Sequence, residues 1–79
     1  MPAKDLYKLI LQNIRTLDPG DAIFELNQLK RMIDVNFSKA IDLLSDPDVT
    51  GKPKVLNKIQ QMVKHQFQEW QSNQQSVQN

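Results

Sequence analysis

The sequence predicts an all-α fold, and three observations support this prediction. Two stretches, Ala22 to Leu44 and Val55 to Trp70, repeat apolar residues at steps of three and four, which is the spacing of one helix face. A cluster of Asp, Pro and Gly separates them, and a third apolar segment, Leu6 to Leu17, precedes both. We therefore expect a small three-helix bundle, or a helical hairpin with an extra N-terminal helix, followed by a disordered C-terminal tail.

The first helix is predicted over residues 3–17, and the second begins directly after it. The apolar face of the first helix consists of Leu6, Ile10, Ile14 and Leu17. Asp18 can then cap the free amides of a new helix, Pro19 suits its first position, and Asp21 lies near the positive end of its dipole. The second helix is therefore expected to begin at Pro19.

The second helix is predicted over residues 19–44, and it has apolar residues on two sides. Its main stripe consists of Ala22, Leu26, Leu29, Ile33, Phe37, Ala40 and Leu44, and its second strip of Phe24, Met32, Val35 and Leu43. Such a helix is either the middle element of a bundle or exposes a patch for a partner. Asn36 interrupts the main stripe, and with Ser38 it could cap a new helix at Phe37. A break between Asp34 and Phe37 is therefore an alternative.

The third helix is predicted over residues 53–71, after a loop from Ser45 to Pro53. The first six positions from Asp46 resemble a calcium loop, but the twelfth is Asn57 where a bidentate Glu is needed, so we interpret the segment as helix-terminating chemistry. The apolar face of the third helix consists of Val55, Leu56, Ile59, Met62, Val63, Phe67 and Trp70. The chain beyond Trp70 has no charged residue and a single apolar one, Val77. This composition predicts one helical domain over residues 1–72 and a disordered polar tail over residues 73–79.

Composition narrows the function classes. The chain has 79 residues, one His and no Cys, which excludes disulfides and thiolate metal sites. A Ser or Thr nucleophile would need His65 as its base, and His65 falls on the basic, exposed face predicted for the third helix. We expect no enzymatic activity, no metal, no cofactor and no small-molecule substrate. No apolar run approaches the ~20 residues needed to cross a bilayer, and the acidic Asp5 stands where a secretory signal would be basic or apolar. The expected location is the cytoplasm.

Charge is divided unevenly along the chain. Residues 1–50 hold six Lys or Arg against eight Asp or Glu, whereas residues 51–79 hold four Lys against one Glu. Lys54, Lys58, Lys64 and His65 therefore form a possible nucleic-acid contact on the third helix. Lysines without arginine or interleaved aromatic rings predict weak, salt-sensitive binding at best. A weak nucleic-acid-binding regulator is thus the alternative function, and nucleic acid is not the expected partner.

The preferred hypothesis is a non-enzymatic adaptor, regulator or chaperone that binds another protein or a second copy of itself. A short chain buries a small share of its surface, so association would help to stabilise it. The predicted interface residues are Phe24, Met32 and Val35 on the second helix, with Phe67 and Trp70 on the third. Aromatic residues and Met are suited to such contacts because they bury much area and adapt to a partner.

Overall fold

The computed structural model describes residues 2–77. Its helices are α1 (Ala3–Arg15), α2 (Pro19–Ile33), α3 (Ser38–Leu44), α4 (Pro47–Thr50) and α5 (Pro53–Val77), with no strand among the described residues. The prediction of an all-α fold is confirmed. Helices α1 and α2 pack together as a hairpin, α5 packs along α1, and α3 contacts both α2 and α5.

The junction between α1 and α2 follows the predicted chemistry at Asp18 but not at Leu17. The Asp18 side chain accepts a hydrogen bond from the Asp21 amide at 3.4 Å, and Pro19 is the first residue of α2. Leu17, however, adopts a left-handed conformation with φ 63°. Its amide donates to the Ile14 carbonyl, and the Asp18 amide donates to the Asn13 carbonyl, which is the Schellman pattern. Leu17 therefore leaves the apolar face of α1 on which it was predicted.

The helix predicted over residues 19–44 is broken in the structure. The alternative prediction, a break between Asp34 and Phe37, is therefore correct. Helix α2 ends at Ile33, and Asp34 takes a left-handed conformation with φ 52°. The Asn36 side chain then accepts a hydrogen bond from the Ser38 amide at 3.0 Å, and α3 starts at Ser38. Short polar side chains of this kind compete with the helical hydrogen bonds of the backbone. The break places Val35 outside both helices.

The segment predicted as the second loop contains one further helical turn, α4. Asp46 caps this turn by accepting from the Asp48 amide at 2.9 Å, and Pro47 is its first residue. The residues that resemble a calcium loop are thus used in capping. Pro53 begins α5 as the sequence predicts.

One core joins the helices. It consists of Leu6, Ile10 and Ile14 from α1, Ala22, Leu26, Leu29 and Ile33 from α2, Phe37, Ala40 and Leu44 around α3, and Leu56, Ile59, Val63 and Phe67 from α5. Helices α1 and α5 run antiparallel, because Tyr7 stacks on Phe67 at 4.2 Å whereas Leu11 accepts a hydrogen bond from Gln60 further towards the start of α5. The main stripe of the second predicted helix is therefore buried in full.

Helix α5 continues to Val77. The third helix was predicted to end at residue 71, so the observed helix is longer than the prediction. The predicted disordered tail, residues 73–79, overlaps this last part of α5, and its final two residues lie outside the described part of the chain. Its disorder stays a prediction. Between residues 2 and 77, no helix is long and apolar enough to cross a membrane.

Candidate protein-binding surface

Helix α2 carries one row of exposed residues outside its buried stripe. Phe24, Gln28 and Met32 follow one another at four-residue steps, and residues at this spacing are neighbours on a helix surface. At about 100° per residue, Phe24 lies almost opposite the buried stripe and Met32 lies to one side of it. We call these three residues the outer strip.

The outer strip exposes large apolar side chains. Phe24 is 64% exposed and Met32 is 51% exposed, and Gln28 between them is also exposed. Single exposed apolar residues are common in monomeric proteins. Two in one row on one helix are more informative, because their side chains can be covered by one partner surface.

The charged residues around the outer strip are acidic near the start of α2 and basic near its end. Asp21 and Glu25 lie towards the start of α2, and Lys30 and Arg31 lie in its last turn. Glu25 is partly buried. Its Oε2 accepts a hydrogen bond from the side-chain Nδ2 of Asn13 at 2.6 Å, and this bond holds the carboxylate against α1. The pKa of Asp21 is raised, first by the charge of Asp18, then by their hydrogen bond and by slight burial. Acids near the N-terminus and bases near the C-terminus suit the helix dipole.

The structure retains two of the five predicted interface residues as exposed side chains. Phe24 and Met32 are exposed, whereas Val35 is partly buried against the core. Phe67 is only 2% exposed, so its selection as an interface residue was wrong: it is a core residue. Trp70 is partly buried beside it, with ring centroids 5.5 Å apart.

Tyr7, Phe67 and Trp70 form an aromatic cluster that closes one end of the bundle. Tyr7 and Phe67 are stacked with an interplanar angle of 6°, and the Trp70 ring is tilted against Phe67 by 37°. Burial raises the pKa of the Tyr7 hydroxyl. Rings that contact one another in this way stabilise the α1–α5 contact. The interface role of Trp70 stays a prediction.

The basic face of α5 is smaller than the sequence predicts. Lys54 and Lys58 are exposed on one row of the helix, but Lys64 is partly buried and lies to the side of that row. The Nε2 atom of His65 lies 3.1 Å from the Glu69 carboxylate, which brings a negative charge to this surface. The four predicted nucleic-acid contacts therefore do not form one continuous basic strip.

The surroundings of two residues were not predicted from the sequence. Gln60 is 8% exposed and its Nε2 donates to the Leu11 carbonyl at 2.8 Å; its position four residues after Leu56 and three before Val63 was the available signal. Leu17 is 61% exposed. It borders a groove of about 330 Å³ that Ile14, Pro53 and Leu56 also line.

Among the residues that the structure describes, His, Asp and Glu side chains do not gather in any group of three or more that could hold a metal ion. The comparisons with known proteins add no assignment: no protein-family model, curated protein or solved structure matches the chain.

Proposed function

We propose that this chain is a non-enzymatic protein-binding module, an adaptor, regulator or chaperone, which presents the outer strip of α2 to another protein. The observation that carries the proposal is the exposure of Phe24, 64%, on the side of α2 facing away from the core. An amphipathic partner helix can cover such a row with its own apolar face. The proposal includes self-association. It also includes a cytoplasmic location, because a chain without Cys suits a reducing compartment.

The chemistry of the surface supports binding rather than catalysis. Phe24 offers a large apolar ring, and Met32 offers a flexible thioether that adapts to partners of varied shape. The single imidazole, His65, is 69% exposed and pairs with Glu69 on the far helix α5. An open, wet surface of this kind does not exclude water as catalytic sites do.

The test compares proteins captured from cell extract by the tagged wild-type chain and by the Met32→Glu variant. A charge within the outer strip would have to be desolvated on binding, so we expect capture of the partner to fall by about 10-fold or more. Gln61→Glu is the matched control, because it adds the same charge at an exposed position of α5. Circular dichroism of each variant reports helicity.

Three results have distinct meanings in this test. Loss of one captured protein with Met32→Glu but not with Gln61→Glu supports the proposal, provided that helicity is unchanged. Equal capture by all three chains contradicts it. Loss of helicity with Met32→Glu would show that Met32 belongs to the core, and it would also contradict the proposal.

The alternative, a weak nucleic-acid-binding regulator, stays a prediction with less support. Lys54 and Lys58 are the exposed lysines in one row of α5, and two point charges give little affinity at moderate salt. An electrophoretic mobility assay at low and moderate salt separates the two functions, because a shift that disappears as salt rises is expected only from the alternative.

A further inference from the structure

The break after α2 divides the chain into two helical units. The first unit is the hairpin of α1 and α2, and the second consists of α3, α4 and α5, which contact one another. Residues 34–37 link the units along the chain. In space, α5 packs on α1 and α3 packs on α2. The second unit of another copy can make these same contacts if the link adopts an extended form.

The apolar pattern of the sequence is compatible with a link that continues the helix. Ile33, Phe37 and Ala40 are separated by steps of four and three residues, so the break does not shift the register of the stripe. At about 100° per residue, the whole stripe from Ala22 to Leu44 would stay within about 80° on one continuous helix. A helix over residues 19–44 would therefore present a single apolar face along its length.

The broken form of the link depends on a few exposed polar groups. Asp34 has a left-handed conformation with φ 52°, which costs free energy for a residue with a Cβ atom. The Asn36 side chain accepts a hydrogen bond from the Ser38 amide at 3.0 Å, and the Lys30 Nζ donates to the Ser38 hydroxyl at 3.2 Å across the break. Hydrogen bonds exposed to water contribute little net free energy, and short strained links favour exchange between copies.

We infer that residues 34–37 form a hinge, through which two copies of this chain exchange their second units as α2 and α3 join into one helix. In the exchanged dimer, α5 of each copy packs on α1 of the other. The stacking of Tyr7 on Phe67 and the hydrogen bond from Gln60 to Leu11 are kept, but each now joins two copies. The inference goes beyond the proposed function, because none of these contacts uses the outer strip.

Exchange has a high kinetic barrier. The two units share one core, so they separate only when buried residues such as Phe37 and Phe67 become exposed to water. The closed chain and the exchanged dimer therefore interconvert slowly. We expect the dimer to form when the protein is unfolded and then refolded at high concentration, and to persist for some time after dilution.

The hinge is tested by two substitutions of Asp34 with opposite effects. Gly tolerates the left-handed conformation and disfavours a helix, whereas Ala does the reverse. Because the dimer contains two hinges, the dimerisation constant of Asp34→Ala should exceed that of Asp34→Gly by about 100-fold or more. Sedimentation after refolding at high concentration measures both. Equal dimer fractions in the two variants would overturn the inference.

Two further variants make this test specific. Asp42→Ala is the matched control, because it makes the same change at an exposed position inside α3 and leaves the hinge intact. Its dimer fraction should equal that of the wild type. Asn36→Ala removes the hydrogen bond to the Ser38 amide and should raise the dimerisation constant by about 10-fold or more. It replaces Asp34→Ala if circular dichroism shows that Asp34→Ala is unfolded. An unchanged dimer fraction in Asn36→Ala would overturn the inference.

Exchange itself is tested by crosslinking, since the chain has no native Cys. Arg15 on α1 and Asn57 on α5 are both exposed and line the groove beside Leu17. Chains with Arg15→Cys are refolded together with chains carrying Asn57→Cys, and a short bismaleimide is added. A single chain with both substitutions shows that the reagent spans the groove.

In an exchanged dimer, the two thiols of different copies meet in one groove. The mixture should therefore give about 10-fold more crosslinked dimer when both chains carry Asp34→Ala than when both carry Asp34→Gly. Asp34→Ala dimers that crosslink no more than the Asp34→Gly mixture would be held by another surface. That result would overturn the inference.

Discussion

The two faces of α2 carry the same types of side chain in different surroundings. The inner face consists of Ala22, Leu26, Leu29 and Ile33, none more than 7% exposed, whereas Phe24 and Met32 on the outer face are each more than half exposed. The difference arises from the neighbours of α2, since α1 covers the inner face. Apolar character alone therefore does not define the core of this protein.

The largest expected difference between the faces is in stability. Leu26→Ala removes a fully buried side chain and should lower the free energy of unfolding by about 2–5 kcal/mol. Met32→Ala, on the outer face, should change it by less than about 1 kcal/mol. Urea unfolding of both variants at a concentration where the chain is monomeric measures the contrast. Similar losses for the two variants would mean that the outer face is also part of the core.

Leu17 sharpens the comparison because its exposure has a backbone cause. A left-handed conformation disfavours residues with a Cβ atom and favours Gly. Leu17→Gly should therefore be more stable than Leu17→Ala by about 1 kcal/mol, the reverse of the order inside a helix. Both variants lose the same Leu side chain, so chemical unfolding of the pair isolates the effect of the backbone conformation. If the Ala variant were equally stable, the φ of 63° would carry no cost.

The smallest expected effect concerns the acidic end of the outer strip. The pKa of Asp21 is raised above its usual 3.8, chiefly by Asp18, so the folded state binds this proton more readily than the unfolded state. Ionisation of Asp21 therefore opposes folding at neutral pH, and this opposition disappears as the pH falls through the raised pKa to below 3.8. Relative to Asp21→Asn, the wild-type protein should gain stability over that range. A pH-independent difference between them would contradict this reasoning.

The sequence predicted those parts of the fold that depend on local chemistry. Asp18 and Pro19 begin α2, and Pro53 begins α5, because caps and proline act within one turn. The break after Ile33 stayed an alternative, since the apolar stripe continues in register through Phe37 while Asp34 and Asn36 favour interruption.

The candidate site was harder to predict because burial depends on tertiary neighbours. Phe67 and Phe24 have the same side chain. Tyr7 stacks on Phe67, which is buried, whereas Phe24 lies on the exposed side of α2. Periodicity identified both apolar sides of the second predicted helix, but it contains no information on which side α1 would occupy. The position of Leu17 depended on the Schellman turn, for which its sequence lacks the usual Gly.

The most direct test of the central claim is thermal unfolding of the wild-type chain and the Phe24→Glu/Met32→Glu variant over a range of concentrations. At low concentration their midpoints should agree within a few degrees, because neither side chain belongs to the core. As concentration rises, the wild-type midpoint should increase by mass action while that of the variant stays constant. A variant that is much less stable at every concentration would contradict the placement of these side chains outside the core, and a wild-type midpoint that does not depend on concentration would contradict self-association through the outer strip.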